Sequence, residues 1–63
     1  MFKVGDRVRI GVYANHGWIP AELGEVVSVS SDTMLLEVDT MSLHGGKPWI
    51  HLVRADHCRL ETK

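Results

Sequence analysis

Polar and apolar positions alternate along this chain in short stretches, each bounded by turn-forming residues, and no stretch sustains the longer period of a helix. After Gly5-Asp6, the run Arg7-Val8-Arg9-Ile10 places Val8 and Ile10 on one face of a strand and Arg7 and Arg9 on the other. Gly11 to Leu23 reads as a long connection, marked by Asn15-His16-Gly17 and Pro20. Gly24 to Ser30 is the next strand, with Val27 and Val29 inward and Glu25 and Ser28 toward water. Ser30-Ser31-Asp32-Thr33 has the composition of a turn. Met34 to Asp39 follows as the hairpin partner, with Leu36 and Val38 inward and Glu37 and Asp39 outward. Thr40 to Pro48, with Gly45-Gly46, reads as a mobile loop. Trp49 to Arg54 is a further strand, Ala55-Asp56-His57 suits one 3₁₀ turn, and Cys58 to Glu61 closes the fold, with Thr62-Lys63 fraying. The best helical candidate, Ala21-Glu22-Leu23, is stopped at once by Gly24. An open sheet this small leaves long unpaired edges, so the strands are expected to close on one another. The pattern predicts an all-β, five-stranded barrel with a 3₁₀ turn before the last strand, occupying residues 1–63 as a single domain.

Composition narrows the class. The chain has 63 residues, 7 Lys+Arg against 8 Asp+Glu, and a formal net charge of -1. One small core is all that this length supports. At 44% hydrophobic and 24% charged it has the balance of a globular chain rather than a disordered one. No apolar run approaches the roughly 18 residues of a membrane span, and no signal-peptide core follows Met1. The single cysteine, Cys58, cannot form an internal disulfide. A cytoplasmic, non-membrane domain is expected, and the near-neutral charge favours no general polyanion binder.

The opening Phe2-Lys3-Val4-Gly5-Asp6-Arg7-Val8-Arg9-Ile10 resembles the "x-V-G-D-x-V-x-V" start of the SH3-like small barrels of prokaryotic accessory proteins. Gly24-Glu25-Val26-Val27 resembles their second strand, and Val53 to Glu61 looks like their 3₁₀ turn and final strand. Such barrels include KOW-type domains, the variable chain of ferredoxin-thioredoxin reductase, the small stromal barrel subunit of photosystem I and type II dihydrofolate reductases. The resemblance covers nearly the whole chain and implies the SH3-like barrel of prokaryotic accessory proteins; the compactness of the chain fits a small gene of a bacterium, phage or mobile element. It implies no single activity, because this fold carries unrelated ones. In type II dihydrofolate reductases a Val-Gln-Ile-Tyr stretch lines the pore shared by four barrels. Here Trp49-Ile50-His51-Leu52 stands in that region and lacks those groups, which makes that oligomeric enzyme a distant third reading.

The candidate chemistry is correspondingly spare. His57 and Cys58 are adjacent and so point to opposite faces of a strand, and no zinc-ligand spacing occurs; no metal or other cofactor is expected. Cys58 opens a short closing strand and reads as a packing residue, so no catalytic residue is assigned and the chain is read as non-enzymatic. Arg7 and Arg9 share one strand face, and Arg54 and Arg59 bracket the last turn. With first and last strands adjacent, these four would form one basic stripe unless cross-strand carboxylates neutralise it. Trp18 and Trp49 lie in or beside the two long loops, which neighbour one another in SH3-like barrels, so both indoles would line one groove. An accessory or regulatory module is expected, binding a protein partner through Tyr13, Trp18 and Trp49 with Arg7, Arg9 and Arg54 steering it. The alternative is a KOW-like nucleic-acid module using the arginine face. Exposed Ile50, Leu52 or Leu35 would also favour a homo-oligomer.

Overall fold

The computed structural model describes residues 2–61, apart from the Leu43 side chain; the expected fraying of Thr62-Lys63 lies outside them. Five strands form a single antiparallel sheet: β1 (Arg7–Ala14), β2 (Gly17–Ser30), β3 (Leu35–Asp39), β4 (Ile50–Arg54) and β5 (Cys58–Leu60). A 3₁₀ turn, Ser42–His44, interrupts the loop before β4, and a second, Ala55–His57, joins β4 to β5. The strand order is β4-β3-β2-β1-β5. The all-β class, the five strands and the last 3₁₀ turn are as the polar pattern predicts. Hydrogen-bonded closure is not made, because β4 and β5 are the two edges of the sheet.

β2 is the spine. Its 14 residues pair with β1 along one half and with β3 along the other. Gly11 to Leu23 is therefore no loose connection: β1 and β2 continue as a hairpin to Ala14↔Gly17, with Asn15-His16 at its tip. Two ladders of backbone hydrogen bonds outweigh the local turn signals of Gly11 and Pro20, since the ladder shifts register between Ile10 and Gly11 where Pro20 joins it.

A second register shift lies between Val26 and Ser28. It corrects the expected facing of this strand. Val26 is fully buried opposite Val38, whereas Val27 is the extra residue and is exposed. Val29 then pairs with buried Leu36, on the rim of the core, and is itself 37% exposed. Asp39 is the other correction: it is buried rather than outward, because the loop after it folds back over its carboxylate.

The core is small. Val8, Val26, Leu36, Val38 and Cys58 are buried, and Phe2, Ile10, Val53 and Ala55 pack against them. Each strand thus contributes to one cluster, which is how so short a chain buries anything fully. Gly24 is buried opposite Val8, and an added Cβ there would meet Val38 and the Asp39 carbonyl. Its service is close strand packing.

Candidate functional site

Two clusters meet at the 3₁₀ turn Ala55–His57. The first stands on the outer face of β1, where Arg9, Gly11 and Tyr13 alternate with the inward positions Val8 and Ile10. Trp18 faces Tyr13 across the hairpin, and its indole lies over Gly11, where any side chain would collide with it. Trp18 Nε1 donates to the His57 carbonyl at 2.9 Å, and the Arg59 guanidinium sits 4.4 Å from the ring centre. The hydroxyl of Tyr13 donates to the Asp56 carbonyl at 2.9 Å, while its ring meets His57 edge-on. Both aromatic polar atoms thus clamp the 3₁₀ turn to the hairpin tip.

On the other side of the same turn lies an apolar groove of about 250 Å³. Phe2, Val29, Met34, Leu36 and Ala55 line it, with Asp56 at the rim. The groove exists because the β2–β3 turn ends without covering the core. Met34 closes that turn with φ 59°, in the left-handed region where a residue with a Cβ is strained, and its side chain is 64% exposed. Its carbonyl accepts from Ala55 N at 2.8 Å, which ties the groove's far wall to the 3₁₀ turn.

The arginines do not make an open stripe. Arg9 and Arg59 are directly opposite on β1 and β5, but Arg9 forks onto Glu61, with Nη2 3.1 Å from Oε2. Arg54 grips Asp56 in a two-pronged pair at 3.1 and 3.0 Å, and this pair holds the Asp56 carboxyl below its ordinary range. Arg7 stands opposite Glu25. Arg59 is spent on the Trp18 ring.

Trp49 belongs elsewhere. It stacks on His51 with ring centres 5.9 Å apart and is 62% exposed, at the start of β4. The structure therefore brings Tyr13, Trp18, Arg54 and Arg59 around one turn, leaves Arg7 and Arg9 on the outer face of β1, and sets Trp49 in a separate stack. Asp39 anchors that second region: its Oδ1 accepts from the backbone N–H of Met41, Ser42 and Trp49 at 3.0 to 3.2 Å. The Ser42 hydroxyl and these amides lower its pKa to about 2. An Asp two and three residues before the amides it accepts is a local turn signal that could have revealed this.

Cys58 is buried, and burial together with the Asp56 charge pushes its thiol up, away from nucleophilic thiolate. Its S–H points at the Arg54 carbonyl at 3.6 Å. The groove residues Phe2, Met34 and Ala55 were not singled out by sequence reasoning. The one available hint was Met34, which occupies a turn position where glycine is usual.

No protein-family model matches this chain, and neither a curated protein nor a solved structure is found to be similar to it.

Proposed function

We propose that this chain is a non-enzymatic, SH3-like accessory module that binds a protein partner at the surface around Ala55–His57. The observation that carries this reading is the solvent-open apolar groove lined by Phe2, Val29, Met34, Leu36 and Ala55. Its volume is below the roughly 300 to 1,000 Å³ of small-molecule sites and suits an inserted apolar side chain. Met34 supplies an adaptable wall, as methionine does at surfaces that receive varied side chains. Asp56, paired with Arg54, stands among the lining residues and offers a polar contact at the border, as the rim of an interface does. Trp18 acts in this reading as the support under that border. Trp49, Arg7 and Arg9 lie away from the groove.

The test uses N-acetyl-leucinamide as a stand-in for the partner's side chain, titrated into the full chain and followed by methyl NMR. Saturable shifts at Val29, Met34, Leu36 and Ala55 are expected in about the millimolar range, and Met34→Glu should weaken them about tenfold. Shifts that are absent, or confined to the Trp49 end, would sink the reading.

A nucleic-acid reading draws on the Arg59–Trp18 stack beside Arg9, a cation and an aromatic face together. Two of the four arginines in question are already paired with carboxylates, which places it second. Labelled DNA and RNA oligonucleotides titrated at low salt decide it: a flat anisotropy trace removes it, and steeply salt-dependent binding promotes it.

A further inference from the structure

β4 is an edge whose unpaired backbone can be read residue by residue. Thr40 N donates to Trp49 O, and Ala55 N donates to Met34 O. In the β3–β4 register His51 faces Val38 and Val53 faces Leu36. Antiparallel ladders alternate, so the odd-numbered residues 49 to 55 are bonded to β3. The N–H and C=O groups of Ile50 and Leu52 and the N–H of Arg54 consequently point to the free edge.

Arg54 is the one charged guard on that edge. Ile50–Arg54 contains no proline, no lysine and no bulge, and Leu52 and Ile50 are 66% and 45% exposed. β5, the other edge, is shorter. Glu61 N donates to Arg7 O, so only Cys58 and Leu60 of β5 turn outward. The β4 edge is also self-complementary. With Leu52 opposite its own copy, the two Leu52 residues exchange both their bonds across the axis, and each Arg54 N–H donates to the Ile50 carbonyl of the other copy. The Arg54 carbonyl takes no part, because it caps the 3₁₀ turn Ala55–His57 and accepts the Cys58 thiol. The only charged residue of the strand then lies at the two ends of the interface, far from its copy, and its guanidinium is held back on Asp56. Apolar Leu52 meets Leu52 on the axis.

We propose that a second copy of this chain pairs antiparallel with β4, with Leu52 on the twofold axis, joining two sheets into one continuous sheet. Five residues of edge bury well under the ~800 Å² per partner of a standard interface. The dimer is accordingly weak, filling from about ten micromolar toward about one millimolar.

Sedimentation velocity on the full chain over that range should show monomer passing to dimer and stopping there. Leu52→Lys puts two ammonium groups on the axis and should hold the protein monomeric, with an unchanged thermal midpoint because Leu52 is outside the core. Cross-linking sharpens the register. Residues opposite in a hydrogen-bonded pair have Cα atoms about 5.5 Å apart, within disulfide range. Leu52→Cys should therefore oxidise to a covalent dimer, whereas Ile50→Cys should not. A chain that stays monomeric at one millimolar would overturn the proposal. So would open-ended assembly, which implies β4 on β5, or a Leu52→Lys variant that still dimerises. None of these outcomes touches the groove, so the two proposals fail separately.

Discussion

Trp18 and Trp49 have similar neighbours, Ile19-Pro20 following one and Pro48 and Ile50 flanking the other, yet they end in different states. Trp18 lies on a glycine, bonds a carbonyl from residue 57 and is covered by Arg59. Trp49 finds only a histidine two places along the chain and leaves most of its surface in water. What separates them is supply from distant elements. An indole becomes structural where the fold offers a flat bed and a backbone acceptor together, and neither can be read from its immediate sequence.

Trp18→Ala should cost about 2–4 kcal/mol, as loss of a large packed ring plus a hydrogen bond to the 3₁₀ turn. A urea midpoint barely moved would mean that the clamp is ornamental. Gly11→Ala attacks the bed instead of the ring and should cost about 1–3 kcal/mol through overpacking, with Trp18 fluorescence shifted by displacement of the indole.

Acid titration probes the other region, where backbone rather than side chain holds Trp49. Asp39 has its carboxyl lowered from 3.8 to about 2, so its contribution is fully present above pH 3.8 and is lost as pH falls toward 2. Wild type should exceed Asp39→Asn in stability near neutrality, and the gap should close across that window. A gap independent of pH would show that the charge on Asp39 does nothing for the loop. The smallest effect is expected at Trp49→Ala, within about 0.5 kcal/mol when measured on the dilute protein. A larger loss would place Trp49 beside Trp18 as a structural residue.

Alternation was enough to place most strands, since Val8, Leu36 and Val38 are inward where a period of two puts them. The closing 3₁₀ turn was also legible, because too few residues separate β4 from β5 for anything longer. The hairpin tip was not. Its strands are long because they pair with each other, and pairing is not a local property. Of the site, Arg54 and Arg59 were legible beside the last turn, whereas Tyr13 read only as an aromatic platform near the loops and its bond to the Asp56 carbonyl was not. The groove was hidden because it is a shortfall of covering residues at the end of the β2–β3 turn, and sequence patterns record what is present. Trp18 and Trp49 could not share a groove once Gly11 and the His57 carbonyl had claimed one of them.

A strand has a two-position reading frame, and the two register shifts of β2 act on it as frameshifts. The first, opposite Ile10 and Gly11, changes which parity faces the core; the second, at Val27, changes it back. Trp18 on the outer face and Val29 beside the groove are both set by frames other than the one that buries Gly24 and Val26. Deleting the single residue Val27 would therefore remove the shift without moving a partner: Ser28 would follow Val26 directly, still opposite Glu37, and Val29 would still meet Leu36. A one-residue deletion at this point would leave the groove wall facing as it does.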